Sequence, residues 1–105
     1  MLVYAEAVLL HWGMKMSVSI ELLDRLKSAQ GGVSDYRAAQ LLGVKQPTMS
    51  QYRNGRCPLS PEKVIIACQL AGLDPLEWLM RLQLERARCD SEKALWNDAL
   101  NRLAA

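Results

Sequence analysis

The sequence predicts an all-α fold of about five helices plus a C-terminal helix, and three observations carry that prediction. Apolar residues recur at helical spacings of three and four along most of the chain. Half of the 105 residues are apolar, yet Phe is absent and Leu, Ala and Val dominate, which favours helices over sheets. No run of alternating β-branched residues competes for a strand. A chain of this length is one domain of ordinary size with a modest core.

Residues 1–15 are an N-terminal extension of open status. Their apolar run is too short to span a bilayer, and Glu6 and the lack of a basic leading region argue against a signal peptide. Met14 and Met16 are both candidate starts, so the stretch is either an over-extended beginning or an extra helix. The first helix is expected after Ser19, on Ile20, Leu22, Leu23 and Leu26, with Gly31 and Gly32 as its stop. Ala38, Leu41 and Leu42 mark a second helix, capped by Ser34 and ended by Gly43. A third begins near Gln46, with Pro47 tolerated in its first turn and Asn54-Gly55 closing it. Ser60-Pro61-Glu62 starts a fourth, whose buried face is Val64, Ile65, Ala67, Cys68 and Ala71, and Gly72 ends it. Asp74-Pro75 opens a fifth with Leu76, Trp78, Leu79, Met80, Leu82 and Leu84. A break at Asp90-Ser91 is expected before a sixth with Ala94, Leu95, Trp96, Ala99, Leu100 and Leu103.

The second and third helices, residues 34–55, read as a helix-turn-helix. Ala39 faces the crossing, where a larger side chain would push the axes apart. Val44, Met49 and Tyr52 plug the wedge between the two helices. The third helix then exposes Gln46, Thr48, Ser50, Gln51 and Arg53, the polar and cationic side chains that a major-groove reader needs. The bland alternative is any tight αα-hairpin with a glycine corner; the small residue, glycine, Val plug and polar outer face together tell against it. Charge distribution points the same way. No Asp or Glu lies between Tyr36 and Pro61, whereas Arg37, Lys45, Arg53 and Arg56 all do, giving a basic face on a chain of net charge only +2.

Residues 35–55 resemble the Cro/repressor-type helix-turn-helix family of phage and bacterial regulators, through Ala39, Gly43, Val44, Met49 and Tyr52 as framework positions. The wider run from residue 16 to about 102 is similar to small phage- or prophage-encoded proteins of this type. That likeness rests on Tyr-Arg-Asn-Gly-Arg at 52–56, Gly-Leu-Asp-Pro-Leu-Glu-Trp-Leu at 72–79 and Glu-Arg-Ala-Arg at 85–88. The resemblance implies a lambda-repressor-like domain over 16–73, with a C-terminal helical pair at 74–105 available for dimerisation. It implies base contacts from Gln46, Pro47 and Gln51. Amides at Gln46 and Gln51 suit bidentate pairing with adenine, while Pro47 offers only apolar contact to a thymine methyl. Arg53 serves base or phosphate. Tyr36, Arg37, Lys45, Thr48, Ser50, Asn54 and Arg56 are the phosphate candidates. The family often has Gln at the position of Asp35, whose carboxylate here would repel a phosphate.

The expected function is a sequence-specific double-stranded DNA-binding regulator, a cytoplasmic, nucleoid-associated phage or prophage repressor acting as a dimer on a palindromic operator. The fifth helix is apolar on more than one face and so needs two partners. A dimer interface of Trp78, Leu82, Trp96 and Leu100 meets that need, and an intramolecular helical hairpin is the competing explanation. The rival function is an antitoxin or antirepressor whose main task is to bind a protein. His11 is the sole histidine, so no triad or histidine metal cluster can be assembled, and neither an enzyme nor a cofactor is expected. Cys57, Cys68 and Cys89 show neither metal-ligand spacing nor an even disulfide framework. Cys68 falls on an inner face as a small core residue, Cys57 lies in the loop behind the third helix, and the pattern fits a reducing compartment.

Overall fold

Among the described residues, four helices start on a side chain that accepts a hydrogen bond from the first turn, and those caps set the frame. The computed structural model describes residues 17–105; the expectations for residues 1–15, His11 included, lie outside the described residues. Among the latter there are six helices and no strand: α1 (Val18–Ala29), α2 (Asp35–Leu42), α3 (Gln46–Arg53), α4 (Pro61–Ala71), α5 (Pro75–Arg86) and α6 (Asp90–Ala104). Ser17, Ser34, Ser60 and Asp74 cap α1, α2, α4 and α5 by accepting from the N–H groups of Ile20, Arg37, Lys63 and Leu76. Each such cap contributes about 1 kcal/mol.

Two boundaries differ from expectation. Ser17, not Ser19, caps α1; Ser19 is buried inside the helix, where its hydroxyl accepts the N–H of Leu59 at 2.9 Å. That bond satisfies a loop donor that would otherwise be stranded in the core. The break before α6 falls at residues 87–89, three residues earlier than Asp90-Ser91, because Ala87 is already extended (φ −63°, ψ 136°) and Asp90 opens the last helix.

α1 is the hub. It packs against α2, α3, α4 and α5, and its Leu22, Leu23 and Leu26 are fully buried. Ala38, Ala39 and Leu42 close on them from α2, Met49 and Tyr52 from α3, and Val64, Ala67 and Cys68 from α4. Trp78 and Leu82 of α5 belong to this same core, so α5 is continuous in packing with α1 to α4. Among the helices of the described residues, α6 packs on α5 alone.

This arrangement corrects the expected dimer interface. Trp78 and Leu82 are each 2 % exposed and Leu100 is fully buried, so none of the three presents a surface to a second subunit. The physical reason is that the two apolar faces of α5 are both satisfied within the chain, one by the core and one by α6. Trp96 is half-buried, and its indole N–H donates to Glu92 at 3.3 Å.

A polar clamp joins α5 to the start of α1. Arg81 pairs with Glu21 and stacks over the Trp78 ring, 4.1 Å from its centroid. One turn on, Glu85 accepts the N–H of Val18 at 2.7 Å, answering an orphan donor of the first turn of α1. Burial pushes the Glu85 carboxyl above its ordinary value, opposed by that hydrogen bond and by Arg81. A raised folded-state value means a stability contribution that is complete below the usual carboxylate range and is lost as pH rises through the raised value. Glu85→Gln keeps an acceptor for Val18 without the charge. Melting temperatures should show this variant at least as stable as the parent at neutral pH, with the parent gaining on it as pH falls. A deficit in the variant that widens with rising pH would contradict this account.

The three cysteines occupy unlike surroundings. Cys68 is buried, and burial first, then Asp74 and Glu77, push its thiol up to about 11. Cys89 is exposed before α6, and hydrogen bonding to the Ser91 side chain and the Glu92 backbone lowers its thiol. Cys57 is half-buried. Because the thiolate is the nucleophile, iodoacetamide on the folded protein should modify Cys89 first and Cys68 only after unfolding, as read by peptide mass spectrometry.

Candidate nucleic-acid interface

α2, Gly43 and α3 form the corner that displays the polar residues. Gly43 has φ 73°, ψ 32°, a left-handed conformation that costs glycine little. Its N–H reaches the carbonyl of Gln40, and Val44 reaches back to Ala39 at 3.0 Å, the paired bonds of a Schellman ending. Lys63 of α4 adds a cation at the same end, donating to the Leu42 carbonyl at 3.0 Å. Ala39 is 2 % exposed at the helix crossing, and Val44 packs half-buried against the core. Met49 and Tyr52 are the roots of α3 in that core. Burial, with Cys57 nearby as a second cause, raises the Tyr52 phenol.

Those two roots decide what faces out. At 100° per residue, inward Met49 and Tyr52 put Pro47, Ser50, Gln51 and Asn54 on the opposite side, with Gln46 at its margin. All five are exposed. Thr48 is half-buried on the inner flank. Tyr36 is 60 % exposed at the start of α2, where Arg37 is also exposed and donates to Gln40 at 3.2 Å. Lys45 is exposed just before α3, and Arg56 just after it. A second Schellman pair closes α3. The Gly55 N–H (φ 70°) donates to the Tyr52 carbonyl, and the Arg56 N–H to the Gln51 carbonyl at 3.0 Å.

Arg53 departs from expectation. Four residues after Met49 it lies on the inward edge of α3, and its guanidinium is held by Asp24 of α1 at 2.8 Å and by Asp35 at 3.6 Å. It is therefore occupied in joining α3 to α1 and α2, and it does not share the outer face with Gln51. Asp35 differs too. Its carboxylate sits between Arg53 and Lys27, the latter at 2.9 Å, so two cations offset the charge expected to repel a phosphate. Partly exposed pairs of this kind contribute about 0–1 kcal/mol each, and the two made by Arg53 tie α3 to α1 and α2. The sequence gives no sign of the parts played by Asp24, Lys27 and Lys63, because no local pattern pairs residues so far apart along the chain.

Chemically, this face offers three carboxamides, those of Gln46, Gln51 and Asn54, each able to donate and accept, flanked by exposed cations and free of acid side chains on α3. Among the described residues no cluster of His, Cys, Asp or Glu could hold a metal ion, and no helix is long and apolar enough to cross a membrane.

No family model matches the chain, and no solved structure matches it. It is similar to the uncharacterized protein Gp-c of Pseudoalteromonas phage PM2, with 30 % identity over 92 residues, covering 83 % of this chain and 99 % of the phage protein. On that extent of likeness, this small all-helical chain belongs to the family of the phage PM2 protein Gp-c.

Proposed function

We propose that this chain is a sequence-specific double-stranded DNA-binding transcriptional regulator, a repressor of phage or prophage genes that acts as a dimer on a palindromic operator. The observation that carries the reading is the outer face of α3. Gln46, Pro47, Ser50, Gln51 and Asn54 are all exposed on one side of a helix whose other side is rooted in the core. Polar side chains of no use to the fold, repeated along one helix face without a carboxylate, suit a reader of base edges. In this reading Gln46 and Gln51 read adenines, and Pro47 offers apolar contact to a thymine methyl. Tyr36, Arg37, Lys45, Thr48, Ser50, Asn54 and Arg56 meet the phosphates. Arg53 positions α3 rather than touching a base. The phage setting is supported by the similarity to a phage protein.

Leu76, Leu95 and Leu103 remain exposed on α5 and α6, and they are apolar side chains still free for a second subunit. The same exposure, 50 % at Leu76 and 61 % at Leu95, favours the second reading, an antitoxin or antirepressor that docks a protein there. A gel shift with the DNA upstream of its own gene, with and without the neighbouring gene product, separates the two.

Substitution then divides the roles on DNA. Gln51→Ala should cost about 1–3 kcal/mol of discrimination at one base pair while leaving binding to random duplex unchanged. Arg56→Ala should weaken every sequence alike and flatten the salt dependence. Equal losses by both variants on operator and random duplexes would sink the assignment.

A further inference from the structure

The Glu-Arg-Ala-Arg segment at 85–88 is not explained by the motif. Its four side chains divide cleanly. Glu85 is half-buried on the Val18 N–H and Ala87 is buried, whereas Arg86 and Arg88 are exposed. Ala87 is extended, so the two arginines flank the point where the helix lets go. Arg86 lines a cleft of about 240 Å³ whose other walls include Gly55, Cys57 and Pro58, directly behind α3, and Ser17 and Ser19 at the start of α1. Arg56 lies between Gly55 and Cys57 in sequence and is exposed. The end of α5 and the loop that carries Arg56 are therefore neighbours across one cleft, although far apart in sequence.

The ion pairs sharpen the contrast. Arg53, Arg81 and Arg102 each hold a carboxylate. Arg56, Arg86 and Arg88 hold none among the described residues. Glu85, the acid in the cleft wall, is taken up by the Val18 N–H and balanced by Arg81. Exposed guanidinium groups without carboxylate partners, carried on the loop after α3 and at the end of α5 that shares its cleft, suit a polyanion that runs past both.

We propose that Arg86 and Arg88 extend the nucleic-acid surface beyond the motif and bind backbone phosphates of the same duplex, beside Arg56. This rests on the DNA reading above. The two arginines add affinity without adding base preference, since phosphate contacts position a protein and carry no sequence information.

The test is a fluorescence-anisotropy titration of labelled random and operator duplexes with the full chain over a series of salt concentrations. Arg86→Ala/Arg88→Ala should reduce the slope of log affinity against log salt by about 0.9 for each phosphate no longer neutralised, on both duplexes alike. Arg86→Lys/Arg88→Lys should retain the slope, and Arg102→Ala, remote on α6, should leave it unchanged. Unaltered far-UV melting of the double-alanine variant would assign the flatter slope to the missing guanidinium groups and not to an unfolded chain. A wild-type slope in that variant, alongside a flattened slope in Arg56→Ala, overturns the extension and leaves the DNA reading standing. A parent chain with no affinity for any duplex overturns both.

Discussion

Leu22, Leu23 and Leu26 are closed to solvent on one side of α1, and the positions of four other helices follow from their burial. A leucine taken fully out of water contributes roughly 1.5–3 kcal/mol, and these three lie in one core with residues of α2, α3, α4 and α5. α3 depends on them most. Among the described helices it has only α1 and α2 to lean on, and Met49 and Tyr52 are its roots. The ion pairs of Arg53 with Asp24 and Asp35 add ties from its inward edge to α1 and α2. Hydrophobic burial sets where the helix lies and which way it faces, and the partly exposed ion pairs add a small restraint.

The helices are legible in the sequence because their signals are local. Caps at Ser34, Ser60 and Asp74, and glycines after α2, α3 and α4, are read within a few residues of the element that they bound. Expectation and structure part where a local signal has a distant competitor. Ser19 looks like a cap until Leu59 arrives from forty positions away to claim its hydroxyl. Trp78, Leu82 and Leu100 look like spare apolar surface until α4 and α6 are placed against α5. Periodicity shows that a face is apolar and is silent on who covers it.

The outer side of α3 is legible for a related reason. Once Met49 and Tyr52 are taken as inward, helical geometry alone places Pro47, Ser50, Gln51 and Asn54 outward. Arg53 breaks the pattern because polarity does not guarantee exposure: its stem lies beside the core and its head meets acids on two other helices. Nor is the cleft that brings Arg86 to Gly55, Cys57 and Pro58 readable in advance. It arises only when Glu85 reaches the N-terminus of α1 and Ser19 draws in the loop behind α3.

The Schellman ending at Gly55 has a consequence for how such a surface can change over time. The Arg56 N–H is tied to the Gln51 carbonyl, so the backbone from which that side chain springs is held at a fixed stride from α3 by main chain alone. The outward side chains of α3 take no part in that tie and carry no core packing. They can be exchanged one at a time while scaffold and anchor stay in place. The fold thus separates what packing holds fixed from what is free to drift, and new preferences can arise there without a new structure.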